Sequence, residues 1–138
     1  FKNDIFFKKN YPKSLDREYF KRYFSYLQKL EKYNSISTAS TMTVEGILLG
    51  IKLLNKKIKT IILTGGGRKN EFIVNKLKKS LKSKKINIKI IDQFNFNGDL
   101  LEAQAFGYLA IRSLRKLNIS LPTTTGVKKP VTGGRIYN

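Results

Sequence analysis

The sequence predicts an α/β domain of mostly parallel strands with packed helices. Three observations carry this. Two short β-branched apolar runs occur, at 59–64 and 86–91, and each is followed by a stretch with helical periodicity. A triple glycine, Gly65-Gly66-Gly67, stands where the first run meets its helix. Strand, helix, strand, helix in this rhythm implies parallel strands joined by right-handed crossovers. The chain has 138 residues, of which 41% are hydrophobic, so residues 1–138 read as one domain with its own core.

The elements follow in order. Residues 1–14 read as an extended lead-in, with Pro12 disfavouring helix just before it. Ser14 is placed to cap a helix over 15–30. Asp16 and Glu18 lie in its first turn, and Phe20, Tyr23, Phe24, Leu27 and Leu30 lie on one face. Residues 34–40 are small and polar and read as a connector. A second helix is expected over 41–55, with Val44, Ile47, Leu48, Ile51 and Leu54 on one face. Gly46 and Gly50, four apart, would permit close helix packing at a cost of roughly 1 kcal/mol each in propensity.

The run 59–64 is apolar enough for a strand buried on both faces. Asn70 can cap a helix over 70–82 with Ile73, Leu77 and Leu81 inward. Residues 86–91 alternate as a second strand, and 92–98 read as loop. A long helix is expected from Asp99, burying Ala103, Phe106, Gly107, Ala110, Leu114 and Leu117. Residues 121–138 read as loop with one short strand.

The glycine turn is the candidate site. Ligands of open α/β sheets bind beyond the carboxyl ends of the strands, where Gly65, Gly66 and Gly67 stand. Glycines admit positive φ and let a ligand approach the backbone. The helix start after Asn70 offers unpaired N–H groups and a positive dipole end, both suited to phosphate, and Arg68 and Lys69 add charge there. The pattern is not G-x-x-x-x-G-K-[ST]. It fits G-x-G-x-x-G only in part, because Asn70 stands where the third glycine belongs. A dinucleotide-binding domain, with Asp92 as the ribose acid, therefore stays open, as does a purely structural turn. A second candidate opens the last helix: Gly98, Asp99 and Glu102, with Glu102 facing the same crevice. Asp99 as N-cap with Glu102 three residues on also fits ordinary capping.

The absence of cysteine excludes disulfides and thiolate metal sites, and the absence of histidine removes the commonest general base. The net charge of +19 is the footprint of a basic nucleic-acid-binding module. Against that, lysines occur in every segment, and only Arg17, Arg22, Arg68, Arg112, Arg115 and Arg135 supply the guanidinium groups preferred for base and phosphate contacts. No signal peptide is read at the N-terminus. The apolar stretches at 47–51 and 61–63 are too short to span a bilayer, so no membrane partner is expected. A chain that opens on Phe1 is expected to be a fragment or a processed form.

Five stretches in order resemble one family. They are Pro12-Lys13-Ser14 with Arg17-Glu18-Tyr19-Phe20; Ser37 to Thr43, with Thr38 where the family has Gln; Gly65-Gly66-Gly67 with Asn70; Gly98-Asp99 with Glu102-Ala103 and Ala105-Phe106; and Leu121-Pro122, Thr125-Gly126 and Gly133-Gly134-Arg135-Ile136. Together they resemble the C-terminal part of the 1,6-anhydro-N-acetylmuramic acid kinases, sugar kinases of the actin and hexokinase superfamily. The resemblance implies one lobe of an actin/hexokinase-like (ribonuclease H-like) kinase. It also implies ATP and Mg²⁺ as cofactors and a sugar phosphorylated on its 6-oxygen while the anhydro ring opens. A homodimer, a cytoplasmic location and a role in peptidoglycan recycling are implied as well. By position, Gly65, Gly66, Gly67, Arg68 and Asn70 would line the ATP site, and Asp99 and Glu102 would lie on the substrate side. The catalytic aspartate would sit in an N-terminal lobe that this chain lacks, so the fragment alone is expected to be inactive. The resemblance assigns no role to Arg17 or Thr125.

Overall fold

The computed structural model describes residues 1–54, 56–135 and 137, and the side chains of all of these except Arg17. The lead-in is not extended. A short helix α1 (Ile5–Lys8) is capped by Asp4, whose carboxylate accepts from the Phe6 N–H at 2.9 Å. The helix expected over 15–30 is broken into a 3₁₀ segment, Arg17–Tyr23, and a short α2 (Phe24–Leu27). Asp16, not Ser14, caps this region, accepting from the Glu18 N–H at 2.7 Å. The break has a cause: Tyr19, Arg22 and Tyr23 all converge on the Asp4 carboxylate. An aromatic cluster of Phe1, Phe7, Phe20 and Tyr23 packs alongside.

The expected connector at 34–40 is helix. α3 runs Lys32–Leu53, capped by the Glu31 carboxylate, which accepts from the N–H groups of Tyr33 at 3.0 Å and Asn34 at 3.2 Å. Small polar residues weaken helix propensity only modestly, and packing of α3 on α1, α2 and the next long helix outweighs it. Asn55, the expected end of this helix, lies outside the described residues, as does Ile136 of the closing stretch.

The central unit matches its pattern closely. β1 (Thr60–Leu63) leads through the glycine turn into α4 (Glu71–Leu81), and β2 (Asn87–Ile90) returns parallel to β1, with Ile61 opposite Ile88 and Leu63 opposite Ile90. Leu77 and Leu81 are fully buried and Val74 nearly so, which together with Val44 of α3 and Phe7 of α1 forms the core among the described residues. Burying each of these leucines stabilises the fold by roughly 1.5–3 kcal/mol. Lys76 Nζ of α4 also donates to Thr41 Oγ1 of α3 at 2.8 Å. β1 is half-buried rather than buried on both faces: its exposure alternates, and Ile62 is 47% exposed.

After β2, a 3₁₀ turn (Ile91–Phe94) leads to α5 (Leu101–Leu114), which begins two residues later than expected. Its expected buried face lies open, with Phe106 64% and Leu114 59% exposed. Among the described residues of 121–138 there is a short α6 (Pro122–Thr125) rather than the expected strand, and an antiparallel bridge joins Ser120 to Val131. No helix among the described residues is long and apolar enough to cross a membrane.

Candidate functional site

The carboxyl ends of β1 and β2 lie side by side because the strands are parallel neighbours. The chain leaves β1 through Gly65, whose φ of +70° is a conformation that side-chain-bearing residues adopt at a cost. Gly66 and Gly67 then open a 3₁₀ turn, Gly66–Lys69. A Cβ built on Gly65, Gly66 or Gly67 would meet nothing within 4 Å, so the turn borders open space. Asn70 closes the turn and caps α4, its side-chain oxygen accepting from the Ile73 N–H at 3.2 Å. Glu71 and Phe72 head α4, so their N–H groups have no acceptor within the helix. The structure thus brings Gly65, Gly66, Gly67 and Asn70 together at the head of α4, with the Gly65 N–H bonded to the Gly98 carbonyl and the Asn70 N–H to the Gly67 carbonyl at 3.1 Å.

Arg68 departs from the expected picture. The sequence suggests a charge offered to a ligand, yet the Arg68 side chain is 5% exposed and points into the protein. Nε and Nη2 donate to the two Asp92 carboxylate oxygens at 2.6 and 3.0 Å. Nη1 donates to Asp99 Oδ1 at 2.7 Å and to the Gly65 carbonyl at 3.0 Å. Lys69 Nζ takes the other Asp99 oxygen at 2.6 Å. Hydrogen bonds from Arg68 hold the Asp92 carboxyl at about 2. Arg68 and then Lys69 hold that of Asp99 well below the usual carboxylate range. The two carboxylates in turn raise Arg68 above its ordinary value.

The second candidate stretch joins the same cluster. Gly98 is buried, and its carbonyl accepts from the Gly65 N–H at 3.2 Å and from Thr64 Oγ1 at 3.4 Å. A Cβ on Gly98 would stand 2.6 Å from Arg68 Cζ and 2.8 Å from Ile91 Cγ2, so only glycine fits over the guanidinium. Asp99 is not the N-cap of α5: that position is Leu100, without a side-chain cap, because the Asp99 carboxylate is drawn to Arg68 and Lys69. Glu102 is exposed in the first turn of α5. Asp92, offered as a ribose acid, is already engaged on both oxygens by Arg68, which removes support for a dinucleotide site. The pairing of Arg68 with Asp92 and the fit of Gly98 were missed in the sequence. A signal existed, because opposite charges just past the ends of two adjacent parallel strands are neighbours by topology.

The family model for anhydro-N-acetylmuramic acid kinase matches residues 1–138. The chain belongs to the anhydro-N-acetylmuramic acid kinase family. It is 36% identical over 125 residues to the anhydro-N-acetylmuramic acid kinase of Roseobacter denitrificans, covering 91% of this chain and 32% of that protein. With the enzyme of that name from Zymomonas mobilis it shares 37% over 132 residues, 96% of this chain and 35% of the relative. With that from Pelagibacter ubique it shares 43% over 114 residues, 80% of this chain and 30% of the relative. The chain therefore spans about a third of the length of the curated relatives it matches.

Proposed function

We propose that the chain is the nucleotide-binding C-terminal lobe of an anhydro-N-acetylmuramic acid kinase with an actin/hexokinase-like fold. The observation that carries this is the glycine turn: a parallel strand ends in three glycines that border open space and feed an Asn70-capped helix. Backbone donors so arranged suit phosphate oxygens, and the positive end of α4 lies behind them. ATP supplies the phosphoryl group. Gly65, Gly66 and Gly67 let its phosphates approach the backbone, and Asn70 keeps α4 aligned behind them. Phosphoryl transfer depends mainly on such positioning and on charge stabilisation. The donor set fits phosphate rather than a protein-built metal cage: among the described residues no three acidic side chains converge, and Asp92 and Asp99 are engaged by Arg68. Mg²⁺ would be held by the nucleotide and by residues beyond this chain.

In the whole enzyme the 6-oxygen of 1,6-anhydro-N-acetylmuramic acid is phosphorylated while water opens the ring at C1. The product is N-acetylmuramic acid 6-phosphate, in cytoplasmic recycling of peptidoglycan. Glu102 faces the sugar side of the cleft. The aspartate that activates water belongs to the other lobe, and the full enzyme is a homodimer. The open apolar face of α5, with Phe106 and Leu114, accords with a lobe that is part of a larger body.

A calorimetric titration with Mg-ATP, NAD and a short DNA duplex at two salt concentrations tests this. Saturable ATP binding that tolerates salt is expected, and NAD should bind more weakly. Asn70→Asp keeps the cap but sets a negative charge beside the phosphates, and should abolish that binding with the fold intact. The pure chain should release no ADP when given the anhydro sugar. Steeply salt-dependent DNA binding without an ATP response would overturn the reading.

A further inference from the structure

We infer that Arg68 is a positioning residue, a bolt that fixes the glycine turn to the loop opening α5 and so sets the shape of the phosphate-binding patch. This rests on the nucleotide reading above and goes beyond it, since it removes Arg68 from the ligand contacts. One buried guanidinium ties three pieces of chain. It holds the turn through the Gly65 carbonyl, the end of β2 through both oxygens of Asp92, and the start of α5 through Asp99. The backbone repeats the tie, with the Gly65 N–H donating to the Gly98 carbonyl at 3.2 Å. Gly98 gives the guanidinium its room, since a Cβ built there would stand 2.6 Å from Arg68 Cζ.

Charge balance argues the same way. Arg68 and Lys69 face Asp92 and Asp99, two cations against two anions, so the cluster presents no net charge to a ligand. Attraction of phosphate then falls to backbone N–H groups and the α4 dipole, whose aim depends on where the turn is held. Only the planar fork of arginine reaches all three partners; lysine carries the charge without the fork.

Two arms on the 138-residue chain test the proposal. In ligand-free protein, Arg68→Lys should speed hydrogen exchange at the Gly65 amide by about tenfold, by loosening its bond to Gly98, and leave the amides of Leu77 and Leu81 unchanged. Unchanged exchange at Gly65 would overturn the bolt. In the second arm, Asp92→Asn removes a negative charge near an anionic ligand, which by Coulomb's law alone should tighten Mg-ATP binding. A bolt predicts the opposite sign, a dissociation constant raised by about tenfold. A lowered constant would make the released Arg68 a phosphate ligand and overturn the proposal. An unchanged constant with a lowered melting temperature would leave Arg68 a purely structural residue and overturn it too. If the unsubstituted chain itself does not bind Mg-ATP, the nucleotide reading and the positioning role fall together. If it binds and Asp92→Asn binds equally, the positioning role alone falls.

Discussion

Two buried charges organise this molecule, and they are built in opposite ways. Near the N-terminus an acid is enclosed by donors. The Asp4 side chain is 2% exposed and accepts from Tyr19 Oη at 2.5 Å, the Phe6 N–H at 2.9 Å, Tyr23 and Arg22. At the strand ends a base is enclosed by acceptors, Arg68 by Asp92, Asp99 and the Gly65 carbonyl. The Asp4 cage is local, closed within 23 residues and walled by aromatic rings. The Arg68 cage joins residues 24 and 31 positions apart, and its carboxylates remain nearly half exposed. A buried charge is thus not itself a site. The proposed nucleotide site lies beside Arg68, where the cage adjoins a glycine turn that borders open space and the head of α4, whereas the donors around Asp4 are side chains turned inward on one carboxylate.

The largest expected effect falls on the closed cage. Asp4→Ala leaves two tyrosine hydroxyls and Arg22 without their shared acceptor and should cost roughly 2–4 kcal/mol in urea unfolding. ATP affinity of the folded fraction should not change, and a parallel loss of affinity would erase the distinction between the regions. Next comes Gly98→Ala, whose Cβ must displace Arg68 or Ile91. It should cost about 1–3 kcal/mol by thermal melting. Gly66→Ala sharpens the contrast, because its Cβ enters open space. Stability should stay within about 0.5 kcal/mol, while Mg-ATP binding weakens.

The smallest effect is the response to acid. Burial pushes the Asp4 carboxyl up, but hydrogen bonds from Tyr19, Tyr23 and Phe6 and the Arg22 charge overcome this and hold it at about 2, against an ordinary 3.8. Asp92 is likewise held at about 2 by Arg68. A carboxyl lowered in the folded state stabilises it above the unfolded value, and this is lost as pH falls through the folded value. Stability should therefore drop between pH 4 and pH 2. Asp4→Asn should flatten that drop more than Asp92→Asn, because water screens the half-exposed Asp92. Urea midpoints measured across this range decide it.

The central unit was legible because its signals are local. A continuous β-branched apolar run marks β1, alternation marks β2, and Asn70 marks the start of α4. The N-terminal third was not, because long-range pulls decide it. Asp4 gathers Tyr19, Arg22 and Tyr23 and breaks a helix that periodicity favours, while packing carries α3 through a run of serine, threonine and asparagine. Periodicity predicts a buried face on α5, but Phe106, Leu114 and Leu117 are exposed, because no described element packs over them. In the candidate site the glycine turn and its cap were visible in the sequence. The inward turn of Arg68 was not, since it depends on Asp92 and Asp99 meeting across the strand ends.

The most direct test is a Mg-ATP titration followed amide by amide in NMR spectra. Saturable shifts concentrated at residues 65–72, with the amides around Asp4 unmoved, are the predicted result. Shifts spread over the lysine-rich surface that vanish as salt rises would contradict it, and would place charge rather than the glycine turn at the centre of binding.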